Sequence, residues 1–373
     1  KNRQYVTLDD LDVRQMAQND PGLFIQTYKP PIIIDEVQYA PQLFSYIKIA
    51  VDRQKNNKEK NGMFWLTGSQ KFHLMKGITE SLAGRVAIVD LLGLSQAEIE
   101  NRQQNKPFIP DAKWISEARK QTNKKLSQLD DVYQQIWQGS FPKINIDKKA
   151  ATRQRFYSSY VQTYLQRDVK DILKISDETA FYNFLVAVAA RTGQLLNYND
   201  LARDVGIDNK TAKSWLSVLE TSGLVYILNS YHRNITKRLV KTPKIYFLDT
   251  GLCAYLTKWS DAKSLQNGAM SGAILETYIF TEILKSYWHN GIEPHFYYYR
   301  DIDQKEIDLI IETSDRLYPI EFKKTATPSK TSSKNFSVLE KFDKKFGHGA
   351  VICFVEKDIP LSRNVTAIPV GYI

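Results

Sequence analysis

The chain has 373 residues, too many for one hydrophobic core, so two or three domains are expected. A hydrophobic share of 43% and an aromatic share of 12% exclude a disordered protein. The formal charge of +10 favours a polyanionic partner, nucleic acid first and nucleotide second. The two cysteines, Cys253 and Cys353, sit in apolar stretches, which argues against a secreted disulfide framework and for a reducing cytoplasm.

No apolar run is long enough to cross a bilayer. The longest, Phe181 to Ala190, reads as a buried helix. The chain opens on Lys1 within a polar stretch, so it reads as neither an intact start nor a signal peptide, and a truncated upstream segment is the expectation.

In chain order, Tyr5 to Leu8, Pro31 to Ile34, Phe64 to Thr67 and Val86 to Val89 read as strands, with a helix over Gln42 to Val51 between the second and third. Strands alternating with helices imply a parallel sheet covered on both faces. A charged, glutamine-rich and loosely helical stretch follows from Ser95 to about Asn145, broken at Gln138 to Pro142. Ala151 to Leu173 reads as one amphipathic helix with Phe156, Tyr160, Tyr164 and Leu165 on one face. Lys323 to Lys334, rich in lysine, serine and threonine, reads as a mobile, solvated loop.

The apolar strand ending in Asp35-Glu36 suits phosphoanhydride hydrolysis. A rigid sheet holds two carboxylates at its carboxyl edge, where ligands of open α/β sheets bind. Asp35 would hold magnesium through water, and Glu36 would orient and deprotonate the attacking water. Ser69, in the polar tip from Thr67 to Gln70, would sense the terminal phosphate, and Arg85 would supply a cation for the transition state. An ordinary acidic strand end explains Asp35-Glu36 alone about as well, and Arg85 fits a structural role better than a catalytic one. The chain holds no glycine-rich loop followed by Lys-Ser or Lys-Thr, so as it stands it should not hydrolyse ATP.

A second pattern begins at Tyr198. A helix to Val205 stops at Gly206, and Asp208 caps a second helix through Trp215 to Ser222, which Gly223 ends. Leu224 to Leu228 and Lys244 to Leu248 then form a ribbon, and the whole describes a winged helix-turn-helix. Asn209, Lys210, Lys213 and Ser214 would face outward, while Arg233, Lys237, Arg238 and Lys241 crowd the wing. Lys210, Lys213, Ser214, Arg233, Lys237 and Arg238 are the candidate DNA contacts, chiefly to phosphates. The competing reading has this module dock on the ATPase part and touch no DNA.

A third pattern pairs the strand Glu306 to Ile311 with the strand Leu317 to Lys323 through a turn at Thr313 to Arg316. Asp308 on one strand and Glu321-Phe322-Lys323 on the other place polar groups at one end of a hairpin, and Glu276 on a helix from Ala273 to Lys285 would complete them. Asp308, Glu321 and the Phe322 carbonyl would bind Mg2+ or Mn2+, with Glu276 completing the set, and Lys323 would orient or deprotonate a water attacking a phosphodiester. A surface hairpin with ordinary charges is the competing reading. The five histidines have no zinc-ligand neighbours at usable spacing.

Taken together, these motifs resemble a large prokaryotic family that joins an AAA-type ATPase domain to a carboxy-terminal domain of unknown function. The resemblance rests on Ile32-Ile33-Ile34-Asp35-Glu36-Val37-Gln38, Leu66-Thr67-Gly68-Ser69-Gln70, Ser81-Leu82-Ala83-Gly84-Arg85, Tyr164-Leu165-Gln166-Arg167-Asp168, Tyr246-Phe247-Leu248-Asp249-Thr250-Gly251-Leu252 and Glu306-Ile307-Asp308. It implies an α/β protein: a partial P-loop (AAA-type) parallel sheet at 1–100, a helical lid or linker at 101–175, a winged helix-turn-helix at 176–243, and a restriction-endonuclease-like PD-(D/E)XK domain at 244–373. It also implies ATP and Mg2+ as cofactors and places the phosphate loop just upstream of Lys1. Two functions follow: an ATP-driven, DNA-associated enzyme with a nuclease-like domain, or a nucleotide switch whose tail only binds protein or DNA. Self-association stays open, and no membrane partner is expected.

Overall fold

The computed structural model describes residues 3–55, 61–68, 78, 81–102, 106–121, 128–164, 177–232, 234, 238 and 241–373. They form two compact units, Lys1–Ile88 and Val89–Ile373.

In the smaller unit, strands β1 (Gln4–Thr7), β2 (Ile32–Asp35) and β3 (Phe64–Leu66) form a parallel sheet in that order. Gln4 pairs with Ile32 and Thr7 with Asp35, while Ile34 pairs with Leu66. Helices α1 (Leu11–Asn19), α2 (Pro21–Thr27) and α3 (Leu43–Lys55) pack on the face that carries Val6, Ile32 and Ile34. The other face leaves Tyr5 60% and Trp65 54% exposed, so among the described residues the sheet is covered on one face and not, as expected, on both. Asp10 caps α1 by accepting from the amides of Asp12 and Val13, and Asp20 caps α2 ahead of Pro21 at the first helical position. Ile32 and Ile34 are buried with Val6, Leu8, Phe24, Leu43, Phe44 and Ile47, which supplies the driving force for the unit.

The expected fourth strand does not form. Val86, Ile88 and Val89 are 37%, 51% and 66% exposed, outside any strand. A strand's β-branched residues need a neighbouring ladder, and no described strand pairs with this segment.

The larger unit opens with a short helix, α4 (Gln96–Ile99), held by a reciprocal cap between Ser95 and Glu98. Helices α5 (Ala112–Gln121), α6 (Leu129–Gln138), α7 (Pro142–Ile146) and α8 (Ala150–Thr163) follow. The expected long helix is seen as α8, and its continuation past Tyr164 lies outside the described residues. Tyr133, Ile136, Tyr157 and Val161 from this stretch belong to the main core of the unit, so the presumed lid or linker is packed into it.

Helix α9 (Glu178–Ala189) buries Phe181, Phe184, Leu185 and Val188. After the two-residue strand β4 (Gln194–Leu195), α10 (Tyr198–Val205) ends at Gly206 with φ +78, a left-handed stop that favours glycine. Helix α11 (Asn209–Thr221) is capped by Asp208, whose Oδ1 accepts from the Thr211 amide at 2.9 Å. Its Trp215 ring meets Phe181 and Phe184 edge-on at centroid distances of 5.0 and 5.4 Å. Strands β5 (Val225–Leu228) and β6 (Lys244–Phe247) are antiparallel, and β4 pairs with the other edge of β6. Strand β6 therefore belongs to this ribbon, although the boundary expected at 243/244 would separate them.

Helices α12 (Thr250–Leu256) and α13 (Ala262–Asn267) lead into α14 (Ser271–Trp288), which is buried from Ile274 to Tyr287 save for Glu276. Beyond it lie β7 (Phe296–Arg300), β8 (Glu306–Glu312), β9 (Arg316–Phe322), β10 (Lys345–Phe346), β11 (Gly349–Cys353), β12 (Ile359–Ser362) and β13 (Val365–Pro369). The sheet runs β12-β13-β11-β9-β8-β7, with β10 also on β9. Its β7-β8-β9 half is antiparallel, and β9, β11 and β13 are parallel. One continuous core spans both sheets, and Tyr246 of β6 stacks on Phe280 of α14 with centroids 4.0 Å apart. A second cluster on the C-terminal sheet takes in Phe336 and Leu339 from 3-10 turns at Lys330–Lys341. Residues 330–334 of the segment expected to be a solvated loop are exposed or half-buried, and the anchors Phe336 and Leu339 follow just beyond it.

Candidate nucleotide site and carboxylate cluster

The tip of β2 is the first site. The Asp35 carbonyl accepts from the Leu8 amide at 3.0 Å, and the amides of Thr67 and Val37 stitch β2 to the chain after β3. The Asp35 carboxylate accepts a hydrogen bond from the Thr67 hydroxyl on one oxygen and from the Tyr5 hydroxyl, at 2.7 Å, on the other. Those two donors hold its carboxyl below the ordinary aspartate range, the Thr67 bond foremost. Glu36 adopts φ +54 and ψ 42, a left-handed conformation costly for a side-chain-bearing residue and a pointer to function. Its carboxylate accepts from the Gln38 amide.

A carboxylate beside a threonine hydroxyl on neighbouring parallel strand tips is an oxygen donor set suited to hydrated Mg2+. Asp35 would hold that ion, which when bound would neutralise phosphate charge. Ser69 lies outside the described residues. Arg85 is engaged elsewhere, with its guanidinium Nε 2.7 Å from Asp52. Tyr5 is the contributor that sequence reasoning passed over. Register could have found it: Tyr5 pairs with Ile33, and Ile33 shares a sheet face with Asp35 two residues on.

The second site lies between the ribbon and the C-terminal sheet. Glu276 from α14, Asp308 from β8, and Glu321 and Lys323 at the end of β9 are brought into one cluster, together with two residues the sequence did not single out, Lys244 and Glu306. The Lys244 ammonium, its side chain 4% exposed, lies 2.6 Å from Glu306, 2.9 Å from Glu276 and 3.7 Å from Asp308. Tyr246 donates to the same Glu276 oxygen at 2.6 Å. Lys323 donates to Glu321 Oε1 at 2.6 Å, and the Phe322 amide donates to Asp308 Oδ2 at 2.9 Å.

Burial raises the carboxyls of Glu276, Asp308 and Glu321 above their ordinary values, and mutual repulsion adds to it for Glu276 and Glu321. Burial works against the charge of Lys244, but Tyr246 and the surrounding carboxylates outweigh it and keep the ammonium protonated. The Lys-x-Tyr spacing of β6 aims residues 244 and 246 to one face, but only the fold brings Glu276 opposite them.

The expected nuclease metal set is not assembled here. Asp308 offers one oxygen to an amide and turns the other toward Lys244. Glu321 spends Oε1 on Lys323, and Glu276 Oε1 is taken twice. Glu321 Oε2 is left buried without a hydrogen-bond partner. Among the described residues, no three His, Cys, Asp or Glu side chains are disposed to hold a metal ion. The physical reason is the cation already present: Lys244 draws the carboxylates onto itself.

The third group is on α11, where Lys210, Lys213 and Ser214 are exposed on one side of the helix. Arg233 and Lys237 lie outside the described residues. Arg238 does not stand free on a wing: its guanidinium is 3.0 Å from Glu312, donates to the His232 carbonyl at 2.6 Å, and lies over the rings of Tyr231 and Tyr297 at 4.5 and 4.4 Å. Expected as a phosphate contact, it is instead consumed inside the fold. No described helix is long and apolar enough to cross a membrane.

Comparison with known proteins adds an assignment for each stretch. Residues 1–100 match a family profile described as "AAA domain", residues 129–263 match "Domain of unknown function (DUF8612)", and residues 271–373 match "Domain of unknown function (DUF4143)". The AAA profile runs past the smaller compact unit, since its residues 89–100 belong to the larger one. The chain is 27% identical over 363 residues to the uncharacterized protein Rv2008c of Mycobacterium tuberculosis and, to the same extent, to the uncharacterized protein Mb2031c of Mycobacterium bovis. The alignment covers 97% of this chain and 73% of each relative. No solved structure matches. An AAA-type domain is consistent with nucleotide binding and with the use of ATP and Mg2+. The chain thus carries an AAA-type domain at its N-terminal end and two domains of unknown function behind it.

Proposed function

We propose that this chain is part of an ATP-driven switch whose carboxy-terminal half faces DNA. The observation that carries the reading is the tip of β2, where Asp35 is pinned by Tyr5 and Thr67 and Glu36 follows in a left-handed conformation. In this reading Asp35 holds the magnesium of a nucleotide and Glu36 orients and deprotonates the attacking water. The AAA-type match supports it. The phosphate-holding half, a glycine-rich loop with its lysine, is absent from these 373 residues, so this reading requires it from elsewhere.

Behind the ATPase part, α10, α11 and the β4-β6-β5 ribbon read as a winged helix-turn-helix, and α14 with the β7 to β13 sheet reads as a PD-(D/E)XK-type fold. The order helix, turn, helix, ribbon supports the first, and the convergence of Asp308, Glu321 and Lys323 at adjacent strand ends supports the second. Lys210, Lys213 and Ser214 present the DNA-facing side of α11. Arg238 has no part in it.

The test is ATP turnover by the protein produced from its whole reading frame, with Glu36→Gln beside it. The expected result is magnesium-dependent hydrolysis in the parent, with turnover lost and nucleotide affinity kept in the variant. Equal turnover in both, or a reading frame without a phosphate loop, overturns the ATPase reading.

A further inference from the structure

The carboxylate cluster holds a cation of its own. Lys244 enters from the first position of β6, while its three carboxylate neighbours come from α14 and β8, so residues far apart in the chain converge on one ammonium. The site is nearly closed to water at Lys244, and Tyr246 from the same strand takes a further bond to Glu276. Lysine here is a compact charge with three donors, and two of its partners lie within hydrogen-bonding distance.

Charge balance points the same way. Lys244, Lys323 and Arg300, the last 3.4 Å from Glu306, face the four carboxylates of Glu276, Glu306, Asp308 and Glu321. With every group ionised one uncompensated negative charge remains, and burial, which raises the Glu276, Asp308 and Glu321 carboxyls, reduces it further, short of the two a divalent ion would balance. A magnesium ion must approach its oxygens to about 2.1 Å. At Oδ1 of Asp308 it would stand beside an ammonium only 3.7 Å from that same oxygen, in a poorly screened site where like charges repel strongly.

We propose that Lys244 is the resident cation of this cluster and stands in place of a divalent metal, so that the C-terminal fold binds without metal-dependent phosphodiester cleavage. This rests on the PD-(D/E)XK-type reading of that fold. Lys244 acts here as a positioning residue. It fixes Glu276, Glu306 and Asp308 against the ribbon and ties the helical module to the sheet.

The test is Mn2+ binding, read from the loss of the free-ion paramagnetic resonance signal, on the full 373-residue chain. The parent is compared with Glu321→Gln, Lys244→Met and the double variant. Any manganese held at Asp35 is common to all four and cancels. The expected result is identical binding by the parent and Glu321→Gln, and a new site in Lys244→Met, at least about tenfold tighter than any in the parent at this cluster, that the added Glu321→Gln abolishes.

Manganese bound by the parent and lost in Glu321→Gln overturns the proposal, as does a folded Lys244→Met that gains no site. Should Lys244→Met fail to fold, the parent against Glu321→Gln decides alone. None of these outcomes depends on ATP turnover or DNA affinity. A failure here is therefore distinguishable from a failure of the proposed switch.

Discussion

The ammonium of Lys244 lies 2.6 Å from the carboxylate of Glu306, across the junction between the three-stranded ribbon and the C-terminal sheet. Removing one partner from a buried ion cluster leaves the others uncompensated, at a typical cost of ~3–5 kcal/mol. Lys244→Met is therefore expected to lower stability by about that much in urea unfolding. Adding Glu306→Gln should return part of the loss, because the second change removes a charge left without its partner. A double-mutant cycle measures the coupling, and strict additivity of the two losses would show the pair to be independent.

DNA binding should separate the exposed lysines from Arg238. Each phosphate contact contributes about 0.9 to the slope of log affinity against log salt. Lys210→Ala and Lys213→Ala are each expected to flatten that slope by about one contact, seen in fluorescence anisotropy with duplex DNA. Arg238→Ala should leave the slope unchanged and instead cost about 1.5–3 kcal/mol of stability, the range for hydrogen bonds to a charged partner.

Glu312 ties this pocket to pH. Its burial alone would raise the carboxyl, but Arg238 and Lys344, 3.0 Å away on each side, outweigh that and hold it below the ordinary glutamate range. A carboxyl depressed in the folded state adds stability above its unfolded value, near about 4.3, and loses it as pH falls through the folded value. Thermal unfolding of the parent should thus fall off more steeply below about pH 5 than that of Glu312→Gln. Parallel curves would remove Glu312 from the account.

How far the sequence showed these sites depends on whether the signal was local. The caps at Asp208 and Gly206, the Asp35-Glu36 strand end and the Asp308 hairpin were all legible, because turn chemistry and strand alternation act over a few residues. Lys244 was not, since its partners lie 32, 62 and 64 positions away and only the folded topology joins them. Arg238 was misjudged for a related reason: a cluster of basic residues in sequence reads as a wing, but Glu312 and the ring of Tyr297 arrive from β8 and β7 to claim this one. Val86 to Val89 has the composition of a strand, yet pairing is a property of neighbours, and composition cannot supply one.

The Asp35 carboxyl offers a test that needs no nucleotide. Thr67 does more than Tyr5 to lower it. In carbon-detected titration of labelled aspartates, Tyr5→Phe and Thr67→Val should both let the carboxyl rise toward its ordinary value, Thr67→Val the further. A larger rise with Tyr5→Phe would reverse the ranking of the two donors.

Two glycines in the larger unit should respond in opposite ways to alanine. At Gly251, on α12, an added Cβ would lie 2.2 Å from the Tyr157 hydroxyl, 2.5 Å from the Gln138 carbonyl oxygen and 2.6 Å from Cα of Gly139. The last two are backbone atoms that cannot swing aside. Tyr157 also donates to Asp249 at 2.8 Å, and Asp249 accepts from the Ser140 amide and hydroxyl, so displacing that ring would break a buried polar network. Gly251→Ala is expected to cost about 3 kcal/mol or more. At Gly272, in the first turn of α14, an added Cβ meets nothing within 4 Å. There the main effect is a smaller entropy loss on folding, a gain of up to ~1 kcal/mol. Urea unfolding of the two variants beside the parent measures both, and a Gly251→Ala chain as stable as the parent would mean that α12 can back away from α6 without loss.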